Sequence, residues 1–323
     1  MKTELVRAAA IDCGTNSIRL LIADVDPAGG TLRDVRREME IVRLGQGVDR
    51  RGWFTVEALK RTLAATARYG ELCREAGVER LRFVATSATR DAANRNVFLD
   101  GVRAELGVEA EVVDGLEEAH LSFAGARSGL PAGLPGPYLC VDLGGGSTEL
   151  VLGHNKAESA FSMDVGCVRL TERHLRSDPP TQGEVQAAAA DIDAVLEAAG
   201  RVVPLGRTGT LVGLAGSITT VTACALGLER YDAARIDGAR IGVDQMLAAC
   251  RELWEASRAV RARLGFMHPG RVDVIGAGAL VWSRVLTRVR AEVAAGGGAL
   301  REVVTSEHDI LDGIVLSAVG PWS

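Results

Sequence analysis

Two stretches decide the fold: Ile11-Asp-Cys-Gly-Thr-Asn-Ser-Ile-Arg-Leu-Leu-Ile22 and, 130 residues further along, Val141-Asp-Leu-Gly-Gly-Gly-Ser-Thr-Glu-Leu-Val-Leu152. They align without a gap, so that Asp12 meets Asp142, Gly14 meets Gly144 and Ser17 meets Ser147. Each is an apolar strand ending in Asp, a tight turn of small polar residues, and a second apolar strand, the pattern of a β-hairpin with its polar atoms at the tip. Two such hairpins so far apart point to a duplicated domain. Two unrelated hairpins that share common turn residues are the alternative, and agreement at both the Asp and the Gly-x-x-Ser positions weighs against it.

Outward from the first hairpin, the chain alternates helix and strand patterns, which predicts an α/β class. Val56, Leu59, Leu63 and Ala67 share one helical face within Thr55 to Cys73, and Arg82 to Ala85 reads as a buried strand. A helix from about Ala93 to Leu106 and a strand from Glu111 to Asp114 complete the first unit. The proline- and glycine-rich stretch from Ser128 to Pro137 is expected to be irregular, with a domain boundary just before it, near Arg127. After the second hairpin come a helix opened by the capping box Thr181-Gln-Gly-Glu184 and a strand from Leu211 to Ala215. Gly216-Ser-Ile-Thr-Thr220 then opens another helix, with Ser217 and Thr219 as caps. Further helices are expected near Asp244 to Glu255 and within Val272 to Glu292, then a turn at Gly296 to Gly298. A last amphipathic helix spans Ser306 to Val319, with Ser306 as its N-cap. The expected domains are therefore 1–127 and 128–305, a cleft between them, and a C-terminal helix in 306–323 that packs back on the first domain.

A chain of 323 residues with 47% hydrophobic content can bury two such cores. Its apolar runs are too short for a bilayer span and its N-terminus lacks a signal-peptide core, so a cytoplasmic protein without membrane association is expected. Six cysteines are scattered without any CxxC pair and read as small buried thiols rather than disulfides or zinc ligands. The formal net charge of −5 excludes a generally basic surface of the kind that binds nucleic acid, and any polyanion must be held at a local site. Nearly all the basic charge is arginine, whose fork suits phosphate, while its abundance makes any single Arg weak evidence.

A Gly-Gly-Gly-Ser turn offers backbone N–H groups with no Cβ to keep a phosphoryl oxygen away. Asp142 just before it and Glu149 just after are hard oxygen ligands suited to Mg²⁺, or Mn²⁺, that bridges to the same phosphate. Asp12 is a second metal or water-shell candidate, and Thr15, Asn16, Ser17 and Arg19 offer donors to phosphate. Neither hairpin is a Walker A or a dinucleotide fingerprint. His120, His154, His174, His268 and His308 lack zinc-site spacing, and His308-Asp309 is read as helix surface and capping.

With these motifs stand Ala85-Thr-Ser-Ala-Thr-Arg90, Gly115-Leu-Glu-Glu-Ala119 and Val272-Asp-Val-Ile-Gly-Ala-Gly278. From about Arg7 to Gly313 the chain resembles the exopolyphosphatase and guanosine pentaphosphate phosphohydrolase (Ppx/GppA) family, in its short two-domain form. That family belongs to the actin-like ATPase superfamily of actin, heat-shock chaperones and sugar kinases. The resemblance implies duplicated ribonuclease H-like domains, with Asp12 to Arg19, Gly14 included, as one phosphate loop. Gly144, Gly145, Gly146 and Ser147 would be the other. It implies that Asp142 helps hold the metal ion, that Arg90 contacts a phosphate, and that Glu118 deprotonates the attacking water, Glu117 being the second choice. By spacing alone Glu118 would be a solvated acid on an exposed helix turn.

The implied activity is hydrolysis of terminal phosphate from inorganic polyphosphate, with guanosine pentaphosphate, and so the stringent response, as the alternative. A catalytically weak binding or regulatory protein, and a kinase of the same fold, are the readings of other classes. Longer members of the family carry a further helical C-terminal region, and its lack here leads to the expectation of short-chain substrates. A homodimer stays open as an assembly.

Overall fold

The structure, a computed structural model, describes residues 5–27 and 31–320. The N-terminal apolar run is buried on both faces because the strand it forms is central: Ala8, Ala9, Ala10 and Ile11 have no exposure. Strand β1 (Val6–Cys13) pairs antiparallel with β2 (Ser17–Val25), which pairs antiparallel with β3 (Leu32–Ile41). On its other side β1 runs parallel to β4 (Arg80–Ala85), and β4 to β5 (Ala110–Val112). The order is β3-β2-β1-β4-β5. Alternation along β1 sends Ala9, Ile11 and Cys13 into a core with Tyr69, Phe83 and Phe98, on the side of the helices Val56–Glu75 and Arg95–Leu106. It sends Ala8 and Ala10 into a second core with Leu21, Val84, Leu121 and the terminal helix Ile310–Ser317. A helix Gly115–Gly129 follows β5 and supplies Leu121.

The second sheet repeats this plan. Strands β6 (Tyr138–Leu143), β7 (Thr148–Gly153) and β8 (Ala157–Met163) form the antiparallel part, and β9 (Thr210–Leu214) runs parallel to β6. Strand β11 (Glu302–Thr305) is parallel to β9, and the short β10 (Arg240–Gly242) lies antiparallel beside it. Read from β8, the order β8-β7-β6-β9-β11 matches that of the first sheet, with β10 added at the edge. The duplication expected from the two hairpins is thus present in topology as well as in motif, and the α/β class is as expected. The chain divides into two compact units. The first comprises residues up to Ser128 together with those from Asp309 onward, and the second runs from Gly129 to His308.

Several expectations need correction. The helix predicted from Ser306 begins later, at Ile310, because β11 still holds this stretch: the Ser306 amide donates to the Gly213 carbonyl at 3.0 Å. The N-cap is Asp309, whose carboxylate accepts the Leu311 amide, and Asp312 completes a capping box. Residues 321–323 of the expected terminal segment lie outside the described residues. Ser128 and Gly129 are helical, so irregular chain starts two residues later than predicted. Five of the six cysteines are buried, Cys224 is partly so, and all are free. Burial pushes the Cys73 thiol up to about 11 and that of Cys224 up to about 12.

Two glycines let backbones meet where the terminal helix crosses the helix Gly115–Gly129. A Cβ on Gly313 would stand 2.0 Å from the Leu121 carbonyl oxygen, and one on Gly125 would stand 1.8 Å from that of Asp309. Gly313→Ala is expected to destabilise the protein by about 1–3 kcal/mol, the usual range for overpacking. A lowered urea midpoint checks this, and an unchanged midpoint would show that the crossing yields without strain.

Candidate active site

The second hairpin is built so that one side of its turn is saturated. Asp142 and Glu149 are direct cross-strand partners on β6 and β7, which places both carboxylates on the same face, and both are buried. The turn is closed by the Gly144 amide donating to the Ser147 carbonyl at 3.0 Å. Its remaining carbonyls are taken by the segment after β8. The Gly144 carbonyl accepts from the Cys167 amide at 3.0 Å, and the Gly145 carbonyl accepts from the amides of Val168 at 2.8 Å and Arg169 at 3.1 Å. The Gly146 carbonyl accepts from Arg169 Nε at 2.7 Å. In a planar trans peptide the carbonyl and the following N–H point in opposite directions. The amides of Gly145, Gly146 and Ser147 therefore all point away from the short helix Cys167–Arg173, and none has a hydrogen-bond partner among the described residues. Three consecutive donors without partners suit an anion.

The first hairpin follows the same plan with different side chains. The Gly14 amide donates to the Ser17 carbonyl at 3.0 Å, and the segment after β3 takes the turn carbonyls. Gly45 donates to Thr15, while Val42 and Arg43 donate to Asn16. The amides of Asn16 and Ser17 are turned the other way by the same planarity. Thr15 Oγ1 lies 2.9 Å from Ser87 Oγ, so this side chain is tied to the turn after β4. Where the second hairpin pairs Asp with Glu, the first pairs Asp12 with Arg19, whose Nε and Nη2 both donate to Asp12 Oδ2, at 2.9 and 2.7 Å. Asp12 Oδ1 is buried without any partner. Burial raises the Asp12 pKa, against the opposing pull of Arg19.

Glu118 is not the solvated acid its spacing suggests. Asp114 caps the helix Gly115–Gly129 by accepting the amides of Leu116 at 3.0 Å and Glu117 at 2.8 Å, and this fixes the rotation of the first turn. Glu118 then turns inward with 8% exposure, and Arg90 Nη1 donates to its Oε2 at 2.6 Å and to the Val113 carbonyl at 2.9 Å. Glu117 turns outward, with 46% of its side chain exposed, and pairs with Arg82 at 2.6 Å. Arg90 and Arg19, both expected to contact phosphate, are thus engaged with carboxylates.

A divalent ion is implied by the resemblance. Among the described residues no group of three His, Cys, Asp or Glu side chains is gathered as a complete metal cage. Mg²⁺ does not need one, because it keeps several waters and is held by one or two carboxylates plus substrate phosphate. Asp142 and Glu149 fit that requirement, with Glu149 Oε1 already accepting from Ser162 Oγ at 2.7 Å. In the first unit, the orphaned Asp12 Oδ1 is an acceptor that an ordered water would satisfy.

Ser217 and Thr219 do not cap their helix. The helix Ala215–Ala225 takes Leu214 as its N-cap residue, without a side-chain bond, and Ser217 and Thr219 lie in its buried first turn. Three residues were missed: Gly166 and Arg169, which hold the second turn, and Asp309, which takes a bond from Arg19 Nη1. His308-Asp309 was read as surface and capping. Asp309 does cap, but it is buried. The glycine at 166, just after a strand, was the available signal, since tight backbone approach selects Gly.

Duplicated α/β units with matching hairpins define the fold, and chains similar to this one are phosphatases. The chain belongs to the Ppx/GppA phosphatase family, whose model matches residues 21–309. It is 50% identical over 323 residues to Exopolyphosphatase 2 of Mycobacterium tuberculosis, covering 98% of this chain and 99% of that protein. The crystal structure of an exopolyphosphatase-like protein, 48% identical, superposes with a TM-score of 0.94 over 97% of this chain and 98% of that one. A guanosine-5'-triphosphate,3'-diphosphate pyrophosphatase of Vibrio atlanticus is 31% identical over 215 residues, 64% of this chain and 42% of that protein.

A Cβ on Gly166 would stand 2.4 Å from the Gly145 carbonyl oxygen, so Gly166→Ala must displace the Gly145 peptide and with it the Gly146 amide. Loss of one such donor is expected to lower kcat/KM for phosphoanhydride hydrolysis by about 10²-fold. Near wild-type turnover by a folded Gly166→Ala protein would show that these amides do not serve the substrate.

Proposed function

We propose that this chain is an exopolyphosphatase that hydrolyses the terminal phosphoanhydride bond of inorganic polyphosphate. The observation that carries this reading is the run of three consecutive unpartnered amides, Gly145, Gly146 and Ser147, beside the cross-strand carboxylates Asp142 and Glu149. Phosphoryl transfer needs charge neutralised on the equatorial oxygens and a positioned nucleophile, and little covalent chemistry from the protein. The amides of Gly145 to Ser147, and those of the Thr15 to Ser17 turn, are assigned to phosphate oxygens. Asp142 and Glu149 would hold Mg²⁺, and Asp12 is a separate candidate for a metal or water ligand on the first turn. When bound, that ion supplies positive charge to the phosphoryl oxygens.

Glu118 is assigned as the base that takes a proton from the attacking water, its burial and its bond from Arg90 being what favours it over Glu117. Arg90 and Arg19 are assigned to orienting carboxylates rather than to direct phosphate contact. The polyphosphate end leaves as the shortened chain with its new terminal oxygen. A second reading, removal of the terminal phosphate of guanosine pentaphosphate, is favoured by the similarity to the Vibrio atlanticus protein and would use the same groups. No described helix is long and apolar enough to cross a membrane. A homodimer and a cytoplasmic setting remain part of this reading.

Phosphate release measured with Mg²⁺ on polyphosphates of graded length and on guanosine pentaphosphate separates the two readings. Release from polyphosphate, fastest per chain end on short chains, is the expected outcome, since 42 acidic residues outnumber 37 basic ones and leave no net positive charge for a long track. Exclusive turnover of guanosine pentaphosphate would replace the first reading with the second, and no release from either would favour a binding protein. Glu118→Gln is expected to cut kcat by about 10² to 10⁴-fold, the usual share of a general base, with KM little changed. If Glu117→Gln is the inactive variant, the base moves by one residue. Asp142→Asn is expected to raise the Mg²⁺ concentration needed for half-maximal activity, and an unchanged requirement would remove Asp142 from the metal site.

A further inference from the structure

Arg19 binds Asp12 in an unusual way. An arginine facing an aspartate normally spreads its fork over both carboxylate oxygens. Here Nε and Nη2 both converge on Oδ2, and Oδ1 is left buried and unpartnered. The remaining guanidinium nitrogen, Nη1, donates to Asp309. Asp309 is itself held firmly. Its Oδ1 accepts the Leu311 amide at 3.0 Å, and its own amide donates to Asp312 Oδ2 at 3.1 Å. Asp312 has no exposure, and Arg37 on β3 donates to both its oxygens, at 2.8 and 3.2 Å. A line of linked charged residues, Arg37, Asp312, Asp309, Arg19, Asp12, thus runs from the edge strand through the start of the terminal helix to the first turn, all within one unit.

We propose that Asp309 is a positioning residue of the active site. By anchoring Nη1 it keeps the Arg19 fork displaced onto Asp12 Oδ2, so that Oδ1 is held free to accept a hydrogen bond from the site's water or substrate. Without Asp309 the fork would rotate to take both oxygens and Asp12 would be lost to the site. The inference rests on the reading of Asp12 as a member of that site. It differs from a purely structural role, in which Asp309 caps the helix and neutralises Arg19 and nothing more.

The test is a double-mutant cycle on the full chain, measuring kcat, KM and Tm with polyphosphate and Mg²⁺. Asp309→Asn keeps a good N-cap acceptor while removing the charge. It is expected to lower kcat about 10-fold, one hydrogen bond to a charged group by free energy, with KM within about twofold. Arg19→Gln is expected to lose a similar factor, and the double variant no more than the larger single loss, because the two act as one unit. Asp309→Glu, which retains the charge, should recover part of kcat and serves where the Asn variant folds poorly. Ser317→Ala removes a bond from Arg82 at the far end of the same helix. It should lower Tm without changing kcat.

Losses that multiply in the double variant, or a lowered Tm with unchanged kcat in Asp309→Asn, would overturn the proposal. Asp12→Asn tells the two failures apart. If it is inactive while the cycle multiplies, only the positioning role falls. If it turns over like the wild type, the reading of Asp12 fails and the positioning role goes with it.

Discussion

A planar peptide cannot aim its carbonyl and the next amide at the same side, and each candidate phosphate loop depends on that constraint. In both hairpins a segment that follows the third strand supplies donors to the turn carbonyls, and the turn amides are left facing the opposite way. Donors fixed in this manner need no reorganisation when an anion arrives, which is what makes backbone N–H groups effective at developing charge. The three-stranded antiparallel part of each sheet is therefore more than support. It returns the chain to the hairpin tip at Val42 to Gly45 in one unit and at Gly166 to Arg169 in the other.

The hairpins were legible because their information is local: an Asp, a Gly and a Ser at fixed spacing between apolar runs, repeated at one offset. The strands that complete each antiparallel set were not. Strand β3 reads Leu-Arg-Asp-Val-Arg-Arg-Glu-Met-Glu-Ile, and its charges suit an exposed edge strand, so it carries no strong apolar alternation. Strand β8 is also an edge, and only Met163 at its end is fully buried. The clamp segments follow those two strands, so they were missed with them. Gly166 and Arg169 act on the turn through contacts distant in sequence, which no local pattern encodes.

The acids were harder still, because sequence gives the charge and hides the partner. Glu118 reads as a solvated residue until Arg90, 28 positions away, is found against it. Asp309 reads as a helix terminus until Arg19, 290 positions away, is found. Burying a carboxylate alone is prohibitive, and pairing makes it tolerable without making it strongly stabilising. Such pairs inform more about placement than about stability. In this unit Asp12, Glu118, Asp309 and Asp312 are all buried, and each takes a hydrogen bond from an arginine, so the arginine-rich composition has a local use that counting could not reveal.

The two hairpins differ most at one aligned position, Arg19 in the first and Glu149 in the second, each directly opposite its Asp. That single difference separates what the copies can do. In the first hairpin Arg19 stands opposite Asp12 and is shared with Asp309, so a positive charge lies beside that turn. Asp142 with Glu149 puts two carboxylates on one buried face, where like charges repel strongly unless positive charge comes between them. Duplication would have supplied two equivalent loops, and exchange of one cross-strand partner gives them different charge, an arginine opposite one Asp and a second carboxylate opposite the other. On this argument the sequence feature that best separates the two loops is the residue seven positions after the Asp, rather than the glycine count of the turn.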